Sequence, residues 1–143
     1  MKLTILITCF NEKATILGAI EQAKQVKIDK EIIVIDNCST DGTREILESF
    51  EKDSALKIVM HHKNMGAGYS VREGIYLAQG DYFYVPGADL EYKMEDVYKM
   101  IEKIESEKLD VVFGSRLLDK KDVPMLKLIK ERPYWLGSII STF

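Results

Sequence analysis

Three polar clusters in this sequence each follow a short apolar run, and each combines acids with small or hydroxyl-bearing neighbours. The first is Thr8-Cys9-Phe10-Asn11-Glu12, and the second is Asp36-Asn37-Cys38-Ser39-Thr40-Asp41-Gly42-Thr43. The third is Pro86-Gly87-Ala88-Asp89-Leu90-Glu91-Tyr92. Carboxylates so placed could bind a base and a ribose, and could share a divalent cation with a diphosphate, since Mg²⁺ takes oxygen ligands. A fourth stretch, Asn64-Met65-Gly66-Ala67-Gly68-Tyr69-Ser70-Val71-Arg72, opens a helical pattern with two glycines, whose exposed N–H groups suit an anion. It lacks the GK[ST] ending of a P-loop. No glycine lies in the turn after the first apolar run, so a dinucleotide fingerprint is absent. Each cluster also has an ordinary reading. The second is a turn with a helix N-cap, the first a turn with an acid in a helix's first turn, and the third a solvated loop. The coincidence of three such clusters favours a binding rim.

The elements that must position these clusters alternate. Strand patterns over Leu3–Cys9, Glu31–Asp36, Leu56–His61, Asp81–Val85 and Asp110–Phe113 are near-continuously apolar, as in strands covered on both faces. Between them lie helical patterns over Ala14–Val26, from Asp41 to about Lys52, over Gly66–Gln79 and over Met94–Glu107. This order predicts an α/β fold, a mostly parallel central sheet with helices on both faces. In such sheets ligands bind outside the carboxyl ends of the strands. Right-handed crossovers bring those ends to one edge, so Glu12, Asp36, Asp89 and Glu91 are expected to converge there.

Composition narrows the class. The 143 residues are 46% hydrophobic, enough for one domain with a core. A net charge of −3 speaks against a nucleic-acid binder. Residues 1–115 carry an excess of acids and residues 116–143 an excess of bases, which places a boundary at Arg116. Cys9 and Cys38 have no zinc-site spacing and read as reduced thiols, in keeping with a cytoplasmic setting. The start is no signal peptide, and no run reaches the roughly 20 apolar residues that span a bilayer. The basic, aromatic segment 116–143 reads as a packed helix, a membrane-surface helix or a dimer contact. His61 and His62 read as ordinary strand-end residues, and Lys63 and Arg72 as solvated surface.

Four segments together resemble family 2 glycosyltransferases of the GT-A fold. ILITCFNE is similar to their PxYNE opening, and VIDNCSTDGT to their VDDxSxDGT block. NMGAGYSVREGIYLAQGDYFYVPGADLEY is similar to NxGKGxAxRxGxxxAxGDYxxxxDADLxx, and DVVFGSR to DVVxGSR. The likeness runs in order from residue 3 to about 116, and the branch it most resembles is that of dolichol-phosphate mannose synthase. It implies transfer of a sugar from a GDP- or UDP-sugar, with Mg²⁺ or Mn²⁺, to an acceptor such as a polyprenyl phosphate. It implies that residues 1–115 bind the nucleotide sugar and that 116–143 begin the acceptor side. Thr8, Phe10 and Glu12 fall where the family holds base and ribose, Asp36 where it contacts the base, and Asp41, Gly66 and Ala88 within the same nucleotide-binding motifs. Asp89 falls on the second acid of the metal-binding DxD motif, Glu91 on a further metal-contacting position, and Arg116 where the branch holds phosphate.

The sequence departs from the pattern in named places. Gly87 stands for the first acid of DxD and Asn37 for the second acid of the DD pair. Thr8 replaces the opening proline, Phe10 the tyrosine and Ala67 the lysine of GKG. Two functions are therefore open: an active transferase, or a non-catalytic nucleotide-binding module or subunit. A nucleotidyltransferase is a third, less favoured by the absence of a basic glycine-rich signature. A homo-oligomer is compatible with either of the first two.

Overall fold

Leu3–Cys9 forms β1, Lys30–Asp36 β2, Leu56–Met60 β3 and Tyr82–Tyr84 β4 in a computed structural model, which describes residues 1–114. The helices are α1 (Ile16–Gln25), α2 (Thr43–Glu48), α3 (Ala67–Leu77) and α4 (Asp96–Glu107). The four strands make one sheet in the order β3-β2-β1-β4, every pairing parallel. The expected fold class is thus the observed one.

Burial explains the apolar runs. In β1, Leu3 to Ile7 are all buried, because helices cover both of its faces. Leu3, Ile5 and Ile7 join Ile16, Ile20 and Ala23 of α1, Leu47 of α2, and Val97 and Ile101 of α4 in the larger core. On the other face Leu6, Ile33 and Ile35 meet Val71 and Leu77 of α3. There α3 lies tight against β1: a Cβ built on Gly74 would fall 2.5 Å from Leu6 Cδ2. Glycine permits that approach, and a larger residue would push the helix off the sheet.

Two expected elements differ. The second helix ends at Glu48 rather than near Lys52. Ser49, Phe50 and Glu51 bond back three residues, to Ile46, Leu47 and Glu48, so the chain tightens into turns. The strand expected over Asp110–Phe113 does not form among the described residues. Val111 and Phe113 are 62% and 88% exposed. An apolar run becomes a strand only when a neighbour supplies its hydrogen bonds, and no described strand pairs with this one.

At the amino-terminal edge of the sheet a polar chain ties β1 and β2 to the segment that leads into β4. The Gly80 N–H donates to Thr4 Oγ1 (3.0 Å), and the Thr4 hydroxyl donates to Glu31 Oε1 (2.6 Å), which also accepts the Gln79 N–H. Burial by itself raises the Glu31 carboxyl; the bonds from Thr4 and Gln79 and the Lys2 ammonium outweigh it and hold it below the ordinary range. A carboxyl depressed by folding stabilises the fold above its unfolded value, about 4.3, and that contribution is lost as pH falls through its folded value. The wild type should therefore lose its stability advantage over Glu31→Gln between about pH 5 and 3, read by urea denaturation at each pH. Equal dependence in both proteins would remove Glu31 from the acid response.

Candidate functional site

All four strands point the same way, so the turns after β1, β2 and β4 open on one edge. Chain reversals concentrate there. Among the described residues, Asn11 (φ 58°) follows β1; Cys38 (φ 68°) and Gly42 (φ 103°) follow β2; Gly66 (φ 84°) follows β3; and Gly87 (φ 79°) and Leu90 (φ 58°) follow β4. Left-handed backbone at Cys38 and Leu90 carries a cost, and such strain collects at functional sites.

The first two turns are laced together. The Asn11 N–H donates to Ser39 Oγ (2.8 Å), and Asn11 Oδ1 accepts the Thr40 N–H (2.9 Å). The Glu12 N–H donates to Thr43 Oγ1 (2.9 Å), and the Lys13 N–H to Asp41 Oδ2 (3.0 Å). Asp41 Oδ1 accepts both the N–H and the hydroxyl of Thr43, and these bonds, the hydroxyl's first, hold its carboxyl below the usual range. The cluster is a tight turn, as its ordinary reading has it, but the cap position of α2 is Gly42, which offers no side chain, and the bonds to Asp41 fix the rim's shape. Cys9, facing Asp36 across β1 and β2, reports the field there. Burial first, then the charges of Asp36, Glu12 and Asp41, push its thiol far above the usual range. Glu12 and Asp36, two of the four acids expected to converge, thus share one electrostatic neighbourhood with Asp41. Cys9 and Cys38 are both free thiols.

The candidate residues differ in what they can offer a ligand. Thr8 is half-buried, and Phe10 is 46% exposed at the end of β1, its ring available for stacking. Glu12 is half-buried and accepts the Thr15 hydroxyl. Asp36 is fully buried: both oxygens accept the Ser39 N–H (3.2 Å each), and Oδ2 also takes the Arg44 guanidinium (3.2 Å). Gly66 begins α3 with open space around it. Ala88 is buried in the larger core, and Leu90 of the same loop packs on α1, 3.2 Å from a Cβ built on Gly18. Asp89 and Glu91 lie exposed on that loop, where Asp89 Oδ1 accepts the Glu91 N–H (3.1 Å). Arg116 and the segment 116–143 lie outside the described residues.

Sequence reasoning missed a second ring of residues. His61, at the strand end as expected, is buried and bonded on both sides: its Nδ1 lies 3.1 Å from Asn37 Oδ1 and its Nε2 2.5 Å from Glu73 Oε2. Arg44 binds the His61 carbonyl (2.8 Å) as well as Asp36. The available signal was a polar residue closing an apolar strand at the same edge as Asp36. Lys63 and Arg72 are exposed, as expected.

For a cation the donor set is lean. Among the described residues no group of three or more His, Cys, Asp or Glu forms a metal cage. Asp89 and Glu91 supply hard oxygens, and Mg²⁺ is commonly held by one or two carboxylates together with substrate phosphates. The residues therefore fit a cation that arrives with a diphosphate, and not one bound by protein alone. A cavity of about 850 Å³ adjoins the β4 loop, between α1 and residues 90–98, with Leu90 and Tyr92, the neighbours of Glu91, in its wall.

The profile of glycosyl transferase family 2 matches residues 4–138. The chain belongs to this family. A dolichol-phosphate mannosyltransferase of Pyrococcus furiosus is 32% identical over 119 residues, covering 81% of this chain and 33% of that protein. A putative teichuronic acid biosynthesis glycosyltransferase of Bacillus subtilis, TuaG, is 33% identical over 101 residues, covering 69% of this chain and 40% of that one. Among solved structures, the mannosyltransferase PcManGT of Pyrobaculum calidifontis, in complex with GDP-Man and Mn²⁺, matches with a TM-score of 0.62 at 20% identity, over 71% of this chain and 32% of its own. S. aureus TarS 1–349 in complex with UDP matches with a TM-score of 0.66 at 18% identity, over 85% of this chain and 40% of its own. These likenesses show a shared GT-A fold. The family 2 chain spans about a third to about half the length of the curated relatives it matches. No helix among its described residues is long and apolar enough to cross a membrane.

Proposed function

We propose that this family 2 chain binds a GDP- or UDP-sugar along the carboxyl edge of its sheet and serves in transfer of the sugar to an acceptor, a polyprenyl phosphate being the acceptor class most in keeping with its sequence. The observation that carries this reading is the lacing of the turns bearing Glu12, Asp36 and Asp41, on the sheet edge where the parallel β4 also delivers the loop bearing Asp89 and Glu91. In this reading the exposed ring of Phe10 stacks on the base while Thr8 and Glu12 hydrogen-bond base and ribose. Asp36, whose oxygens already serve Ser39 and Arg44, shapes the base pocket chiefly by fixing the second turn. Gly66 and the start of α3 take the ribose-diphosphate side, where the absence of a Cβ leaves room. Ala88 sets the height of the β4 loop.

Asp89 and Glu91 would hold Mg²⁺ or Mn²⁺ with the diphosphate, and the ion, when bound, supplies positive charge against the leaving nucleoside diphosphate. Arg116 suits an acceptor phosphate through its bidentate fork. A phosphate acceptor is already an anion, so the chain needs no strong general base. This chemistry calls for a cytoplasmic site at a membrane surface, with residues 116–143 on the acceptor side. A non-catalytic nucleotide-binding subunit is the second reading, favoured by Gly87 in place of an acid.

Calorimetry separates these. Mn²⁺ alone should give no measurable heat, whereas Mn²⁺ added with UDP or GDP should bind about a hundredfold or more tightly, because phosphate oxygens complete the coordination. Tight Mn²⁺ binding without nucleotide would contradict the lean donor set. Absence of any nucleotide binding would overturn the proposed function. Nucleotide binding without turnover on any polyprenyl phosphate would favour the subunit reading.

A further inference from the structure

The His61 network has a hydrogen-bond count that closes in only one way. Asn37 Oδ1 accepts the Met65 N–H (2.8 Å), and Asn37 Nδ2 donates to Asn64 Oδ1 (2.9 Å), which also accepts the Gly66 N–H (2.9 Å). These bonds fix which end of the Asn37 amide is oxygen. His61 Nδ1 faces that oxygen and must therefore donate to it. On the other side of the ring, Nε2 faces the Glu73 carboxylate. Two ring nitrogens facing two acceptors require a second proton, shared between Nε2 and Glu73. The Tyr69 ring also packs on His61, centroids 5.5 Å apart and planes steeply inclined, and Arg44 bridges the His61 carbonyl and Asp36. Through Asn37 the same network holds the backbone of residues 64–66, the approach to the α3 start.

We infer that His61 and Glu73 form a proton-held latch on the loop of residues 61–68, and that His61 is a positioning residue for the donor site rather than a group that touches substrate. Removing the shared proton sets a lone pair of Nε2 against a carboxylate, or one of Nδ1 against the Asn37 oxygen. Loss at Nε2 frees the loop from Glu73 of α3, and loss at Nδ1 loosens Asn37, the acceptor of the Met65 amide; either way one arm of the latch opens. The latch therefore holds while the second proton is present and loosens when it is lost. Glu73→Gln tests this directly. A glutamine amide donates to Nε2 of a neutral ring while Nδ1–H still donates to Asn37, so the variant latch needs no extra proton.

The loop arm of the test stands alone; the affinity arm rests on the proposed nucleotide site. Hydrogen exchange of residues 64–68, corrected for intrinsic rates, is followed from pH 5.5 to 8.5 in wild type, Glu73→Gln and His61→Ala. UDP and GDP affinities with Mn²⁺ are taken by calorimetry on the same samples, and melting confirms folding. Wild type should lose protection of the loop and about tenfold in nucleotide affinity as pH rises. Glu73→Gln should be flat in both, and His61→Ala unprotected throughout. Loop protection indifferent to His61→Ala, or as steep in Glu73→Gln as in wild type, overturns the latch. If His61→Ala fails to fold, the Glu73→Gln comparison decides. Loop protection that follows the latch while affinity stays constant overturns the positioning role. If wild type binds neither nucleotide yet its loop follows the pattern, the latch stands and the proposed function falls.

Discussion

Asp89→Ala should lower sugar transfer about a hundredfold to a thousandfold while leaving the melting temperature within about 2 °C of wild type. Asp89 is exposed, and the bond it accepts is the local one from the Glu91 N–H. Losing such a bond at the surface costs about 0.5 kcal/mol or less. In the proposed function, however, Asp89 contributes the carboxylate that remains when Gly87 occupies the first acidic position. With two protein oxygens' worth of ligand halved, nucleotide-dependent Mn²⁺ affinity should fall about tenfold or more. The check is transfer from radiolabelled GDP- and UDP-sugars to a polyprenyl phosphate, with calorimetry for the cation. Full retention of both would remove Asp89 from the cation site. Gly87 sharpens the comparison: a Cβ built there would lie 3.5 Å from Asp89 Oδ1, so the two positions address the same space.

The opposite signature is expected at Asp36. Asp36→Ala should cost about 3 kcal/mol of stability, visible as a lower urea midpoint at constant slope. The carboxylate is fully buried, and its removal strips acceptors from the Arg44 guanidinium and the Ser39 N–H together. Arg44 retains the His61 carbonyl and is partly solvated, which keeps the loss from being larger. Nucleotide affinity should fall as a consequence, because Ser39 and Thr40 anchor Asn11 at the first turn. Asp36→Asn retains shape and an acceptor oxygen and should recover part of the stability. A stable Asp36→Ala protein with selectively lost nucleotide binding would instead assign the side chain to the ligand. The two acids thus separate by burial: Asp89 is exposed, and Asp36 is committed to the frame.

Much of this architecture was legible in the letters because its signals are local. The unbroken apolar run Leu3 to Ile7 announces a strand covered on both faces, and strict βα alternation leaves few ways to arrange four strands other than parallel. Parallel strands in turn force the polar residues after β1, β2 and β4 onto one edge. Hence Thr8 to Glu12, Asp36 to Thr43 and Pro86 to Tyr92 could be assigned to a common rim before any coordinate was known. Family membership rested on the same motifs. Tertiary structure decided what depends on partners distant in sequence. A side chain's employment is set by what lies across the sheet, so Asp36 and Asp89, equally acidic as letters, became a buried brace and an exposed ligand candidate. His61 gained its role from Asn37 and Glu73, 24 residues before it and 12 after it, which no local pattern links. The run Asp110 to Phe113 shows the limit from the other side. Its composition suits a strand, but a strand is a pairing, and pairing is a property of the neighbour.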